Sequence, residues 1–119
     1  MIGIDIVRND RIGEAVRKFG DRFLKRIYTD RELEYCSSQE ANIPCLSARW
    51  ACKEAVLKAF YTEFRLLLRF KEIEVLGKSG MPARVVLHRE EALNALGERE
   101  IIVSLSHEKD YSVAVAYIR

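Results

Sequence analysis

Ile2, Ile4 and Ile6 alternate with Gly3, Asp5 and Val7, the period-2 pattern of a strand, which puts the Asp5 carboxylate on the face opposite the isoleucines. Asp10 stands at a helix-cap position ahead of Ile12, Ala15, Val16 and Phe19, which turn inward at helical spacing until Gly20 ends the run. Asp21 restarts it with Phe23, Leu24 and Ile27. Thr29 followed by Glu32 has the spacing of a capping box and opens a short helix through about Ser37. Beyond Pro44 the stretch LSARWACKEAVLKAFY contains no glycine or proline and is rich in helix formers, which predicts a long helix over about 45–61. Glu63 to Phe70 shows no clear period. KEIEVL and ARVVLH are strand-like runs around the turn GKSGMP, and REEALNAL reads as a two-turn helix closed by Gly97. The C-terminal EIIVSLS, HEKD and YSVAVAYI form a hairpin pattern. Its last strand is apolar on both faces, Val113, Val115 and Tyr117 on one and Ala114, Ala116 and Ile118 on the other, so both faces should meet something dry. The sum is an α+β fold, a small antiparallel sheet packed on a long helix and shorter N-terminal helices.

At 119 residues the chain is read as a single domain, 1–119, that buries roughly two thirds of its unfolded surface without needing metal or disulfide staples. Hydrophobic residues at 49% with only six Gly and two Pro exclude a disordered or collagenous chain. No apolar run reaches the roughly 18 residues of a membrane span, and MIGIDIVRND carries charges where a signal peptide is apolar, so the expected location is the cytoplasm. Cys36, Cys45 and Cys52 are odd in number and form no Cys-x-x-Cys pair, which points to buried, inert thiols rather than a disulfide framework or zinc site.

The net charge is only +2, but between Arg8 and Arg31 eight basic residues face four acidic ones. Arg11, Lys18, Arg22 and Lys25 recur near one outer face there. That stripe is a candidate docking surface for something acidic, or else an ordinary solvated helix face.

Few groups remain that could carry chemistry. Gly77, Lys78 and Ser79 do not make a phosphate loop, because Glu72 stands where the upstream glycine is needed and a strand follows. Glu54 and Lys58, at i, i+4 on the long helix, have the spacing of a surface ion pair. Arg49 and Lys53 share that spacing on its other side, and His107 falls where the last hairpin turns. Asp5 stands out most, since a carboxylate in an apolar strand needs a partner or an ion to offset its desolvation.

Taken together, GIDIV, RFLKRIYTDRELEYC, ARWACKEAVLKAF, a Gly-Met-Pro turn before a strand, and SLSHEKDYSVAVAYI resemble, in order and spacing, the holo-[acyl-carrier-protein] synthase family of 4'-phosphopantetheinyl transferases. The resemblance covers essentially the whole chain. It implies transfer of phosphopantetheine from coenzyme A to a serine of apo acyl carrier protein, in fatty acid biosynthesis, with release of adenosine 3',5'-bisphosphate. It further implies Mg²⁺ held by Asp5 and Glu54, and Arg49, Lys53, Lys58 and His107 around the coenzyme A phosphates or the reacting centre. Glu54 or a metal-bound water would be the base, and Lys58 would add charge beside the leaving group. A homotrimer with coenzyme A bound between subunits is also implied, as is a carrier protein whose acidic helix meets Arg11, Lys18, Arg22 and Lys25. Mg²⁺ suits such a site chemically, because it takes one or two carboxylates and completes its shell with water and phosphate oxygens. The chain departs from the family after Phe60: a glycine-containing loop is usual there, whereas Tyr61, Thr62, Glu63, Phe64 and Arg65 follow here, and Tyr61 and Phe64 read as core packing. The alternative is a small basic RNA-binding module without catalytic activity, though Phe19, Phe23 and Tyr28 have core-facing explanations and leave it no stacking platform. No membrane or nucleic-acid partner is expected.

Overall fold

The computed structural model describes residues 1–39, 42–78 and 80–119. Its elements run β1 (Ile2–Arg8), α1 (Asn9–Phe19), α2 (Asp21–Ile27), α3 (Asp30–Ser37), α4 (Asn42–Phe64), a 3₁₀ turn (Phe70–Glu72), β2 (Ile73–Leu76), β3 (Arg84–Leu87), α5 (Glu90–Leu96), β4 (Ile101–His107) and β5 (Tyr111–Ile118). Two antiparallel sheets form, one ordered β1-β5-β4 and the other a β2-β3 pair. The α+β expectation holds.

α4 is the axis of the molecule. It carries apolar residues on all sides, as a helix surrounded by protein must. Ala51, Ala55 and Ala59, all fully buried, form a stripe of small side chains at i, i+4, i+8. β1 lies directly on that stripe: a Cβ added to Gly3 would sit 2.0 Å from the Ala55 carbonyl oxygen. This close approach brings Asp5, which faces α4 with Gly3 and Val7, to the helix surface. In register, Asp5 lies opposite Ala114 and Ala114 opposite Leu105, while Val7, Ser112 and His107 form the next row on the same face.

The Thr29–Glu32 capping box forms as expected. Asp10 does not cap α1. The helix starts at Asn9, whose side-chain amide instead donates to the carbonyls of Glu108 (2.8 Å) and Lys109 (3.1 Å) and accepts from the Ser112 hydroxyl (2.7 Å), tying α1 to the β4-β5 turn. Phe19 is 52% exposed rather than inward, beside Lys18. α4 extends beyond 45–61 at both ends. Pro44 is tolerated in its first turn, where its missing N–H breaks no helical bond. At the other end Phe64 packs on Phe60 and Glu63 pairs with Arg99 at 2.7 Å, which carries the helix past Tyr61.

The expectation of three inert thiols is corrected. Cys36 and Cys45 are joined by a disulfide from the end of α3 to the first turns of α4, and only Cys52 is free. Cys52 is buried, and burial pushes its thiol up to about 12, so it stays protonated. The pair was not visible in the spacing because the two sulfurs meet only once α3 folds against α4.

Candidate active site

β1 and α4 bring Asp5, Glu54 and Lys58 together. The Lys58 ammonium donates to Asp5 Oδ1 at 2.9 Å and to the Ile4 carbonyl at 3.3 Å. Asp5 is thus partnered to another element, and the Asp5 side chain is only 15% exposed. The i, i+4 pair of Glu54 with Lys58 does not form; Lys58 reaches across to the strand instead. Burial, and next the Asp5 charge, push the Glu54 carboxyl above its usual range, while Lys58 and Arg11 oppose that shift. A carboxylate whose ionisation is opposed by the charge of a second one, with a lysine ammonium seated on that second one, makes a cation-attracting group.

A second group lies in a cleft of about 560 Å³ between the start of α4, the β2-β3 turn and the end of β4. Arg49 and His107 line it, with Tyr35, Lys78, Pro82 and Ser104. The Arg49 guanidinium lies on the Tyr35 ring (4.6 Å), donates to the Gly77 carbonyl (3.3 Å) and touches Cys45 Sγ (3.5 Å). Its Nε is buried without a partner. Such a donor is costly unless an anion or water completes it. Lys78, dismissed as part of a failed phosphate loop, and Tyr35 were not anticipated. The Gly-Met-Pro turn was the one local sign that this segment approaches the site.

Lys53 joins neither group, against expectation. It is 0% exposed, pairs with Glu32 at 2.8 Å, and also donates to the Phe70 carbonyl (3.0 Å) and that of Ile73. All three ammonium protons are used inside the protein, leaving none for a phosphate. Arg11, Lys18, Arg22 and Lys25 are all exposed on α1 and α2. The two chemical groups are separated along α4 by the nine residues from Arg49 to Lys58, on the order of 13 Å of helix. Among the described residues no cluster of three His, Cys, Asp or Glu side chains could by itself hold a metal.

An α+β fold with two carboxylates and a lysine where a strand meets a central helix, and an arginine-lined cleft further back along that helix, has the groups of a phosphate-handling transferase. The chain belongs to the 4'-phosphopantetheinyl transferase superfamily, whose family model matches residues 1–116. It is 65% identical over 119 residues to the holo-[acyl-carrier-protein] synthase of Aquifex aeolicus, spanning 100% of this chain and 98% of that one. It is 44% identical over 115 residues to the enzyme of the same name from Chlamydia trachomatis (97% and 95% covered). Its structure superposes on the crystal structure of the Helicobacter pylori holo-[acyl-carrier-protein] synthase in complex with coenzyme A with a TM-score of 0.83, at 27% identity and over 100% of both chains.

Proposed function

We propose that this protein is one phosphopantetheinyl transferase domain over 1–119 that transfers 4'-phosphopantetheine from coenzyme A to a serine of apo acyl carrier protein. The observation that carries the reading is the Asp5, Glu54 and Lys58 group, held by a strand and a helix that the family model spans. The serine oxygen bonds to the phosphorus bearing pantetheine. The bond from that phosphorus to the bridging diphosphate oxygen breaks, adenosine 3',5'-bisphosphate leaves, and the serine proton passes to Glu54 or to water. Lys58 places a positive charge beside the diphosphate as negative charge builds on the leaving group.

The donors fit Mg²⁺: two carboxylates with excess negative charge, one already holding an ammonium, and no third protein ligand needed by an ion that keeps its waters. Asp5 and Glu54 would hold it, and it would neutralise diphosphate charge. Arg49, through its unpartnered Nε, and His107 are the residues we assign to the nucleotide end of coenzyme A.

A homotrimer with coenzyme A between subunits accounts for two chemical groups in place of one continuous site. It also accounts for the outer face of the sheet, where Ile2, Ile4 and Ile6 are 62%, 63% and 64% exposed beside Val113, Val115 and Tyr117. Val115→Asp should dissociate it, as read by light scattering. We place the protein in the cytoplasm, acting in fatty acid biosynthesis; no helix of the described residues is long and apolar enough to cross a membrane. Family membership over residues 1–116 leaves the RNA-binding alternative without support.

The test is to incubate protein, Mg²⁺ and coenzyme A with apo carrier protein and weigh the carrier. One added phosphopantetheine is expected, lost in Asp5→Ala and in Glu54→Ala, with the losses non-additive in the double variant, which should be little worse than either single one, since both act on one centre. An unchanged carrier mass with the unmodified protein overturns the reading.

A further inference from the structure

Arg65 has a backbone φ of 56°, alone among the described non-glycine residues in being left-handed. It closes α4: its N–H donates to the Tyr61 carbonyl at 2.8 Å. Glycine fills such a position without strain, whereas a side chain with a Cβ does not. A chain that keeps a long cationic residue there gives up stability at a point where glycine would serve the helix better. Strain of this kind persists at binding sites.

The location gives it a use. Glu54, Lys58 and Tyr61 follow one another at spacings of 4 and 3, a single stripe on α4, and Arg65 stands just past the end of that helix at Phe64. The Arg65 guanidinium reaches back over the Tyr61 ring, 5.7 Å from its centroid, so it lies within about one helical turn of the Lys58 position. Tyr61 is 44% exposed and not in the core, and Lys58, three residues earlier on the same helix face, is exposed as well. Among the described residues Lys58 has a carboxylate partner and Arg65 has none. The C-terminal end of a helix repels an anion, so a phosphate running past Lys58 towards the end of α4 needs a second cation there.

We propose that Arg65, held on the Tyr61 ring, is a substrate-binding residue that contacts the coenzyme A diphosphate beyond Lys58. The inference rests on the transferase reading above.

The experiment compares the unmodified protein with Arg65→Gly and Arg65→Lys. Steady-state kinetics with coenzyme A varied at saturating carrier protein are paired with calorimetric binding of coenzyme A. Glycine removes the strain together with the contact, so the thermal midpoint should hold or rise while KM and Kd for coenzyme A rise about five- to tenfold. The kcat and the carrier KM should stay within about twofold, and lysine should recover part of the loss because it keeps the charge. A purely structural Arg65 predicts the opposite: glycine that leaves coenzyme A binding within twofold overturns the proposal, as does an equal loss in every kinetic constant. If the unmodified protein binds coenzyme A but transfers nothing, the transferase reading falls and Arg65 is still decided by the Kd comparison.

Discussion

Lys53 Nζ lies 2.8 Å from Glu32 Oε1, and both side chains are 0% exposed. Burial pulls the lysine pKa down, and the Glu32 charge and hydrogen bond pull it back. Glu32 itself accepts from the backbone N–H groups of Thr29 (2.8 Å) and Val75 (2.7 Å), so this one pair joins the capping box of α3, the centre of α4 and strand β2. Breaking a buried pair strands the remaining charge.

Lys53→Met and Glu32→Gln should therefore each cost about 3–5 kcal/mol in urea unfolding, whereas a double replacement by apolar residues of similar volume should cost less than either alone. Near its own folding midpoint the Lys53→Met protein is expected to lose activity. At low temperature, where it stays folded, its KM for coenzyme A should match that of the unmodified protein. A raised KM in folded protein would return Lys53 to the phosphate site.

Acid stability tests a second cluster. Glu74 is buried, and although burial pushes its carboxyl up, hydrogen bonds from Arg31, Thr29 and His88 and the Arg31 charge hold it down, at about 2. The Thr29 link joins it to the same capping box. Because the folded pKa lies below the unfolded one, the contribution is fully present above the unfolded carboxylate value and is lost as pH falls from about 5 towards 2. It is on the order of 3 kcal/mol at most. Glu74→Gln should flatten the fall in urea stability over that window; an unchanged pH profile would show that other carboxylates control acid unfolding.

How much of this was legible follows from the range of each interaction. The capping box needs only the three-residue step from Thr29 to Glu32, and the facing of Asp5 needs only strand alternation, so both are written locally. The burial of Lys53 is not. Its spacing from Arg49 suggested a shared surface, but its partner Glu32 is on another helix and its carbonyl acceptors, Phe70 and Ile73, open and follow the 3₁₀ turn. Lys58 misled in a similar way: the local partner was Glu54, and the one it takes is Asp5, available because Gly3 lets the strand touch the helix. Phe19 obeys the helical period yet lies outside, since α1 ends before anything covers its last turn.

The Cys36–Cys45 bond yields a third prediction. It follows Tyr35, whose ring carries the Arg49 guanidinium, and Cys45 Sγ touches Arg49 directly, so the cross-link fixes one wall of the cleft. A loop of this size is worth about 2.5–3 kcal/mol by chain entropy. Thiol reductants oppose such a bond, which makes its state a measurable variable. Reduced protein and the Cys36→Ser, Cys45→Ser double variant should both lose about that stability. Both should also bind coenzyme A more weakly, about threefold or more, with kcat little changed. Equal affinity before and after reduction, with free thiols counted by mass, would confine the bond to a role in stability.

The last prediction concerns the carrier protein. Arg11, Lys18, Arg22 and Lys25 are exposed on α1 and α2, and Arg11 is close enough to act on the Glu54 carboxyl, so the stripe runs up to the proposed reacting centre. Phe19 lies exposed beside Lys18 and offers an apolar contact within it. An acidic helix set down there would bring its neighbouring serine towards Asp5 and Glu54. Rim charges mainly steer encounter, so Arg11→Glu and Arg22→Glu should raise the carrier KM several-fold at low salt, less at physiological ionic strength, and leave coenzyme A affinity unchanged. Phe19→Ala should weaken the carrier at all salt concentrations, because apolar contact is not screened. Nucleic-acid binding, by contrast, would lose affinity steeply with salt, with a slope near −0.7 to −0.9 per phosphate neutralised. Carrier KM values unmoved by both charge reversals would reduce the stripe to a solvated helix face and leave carrier recognition to another surface.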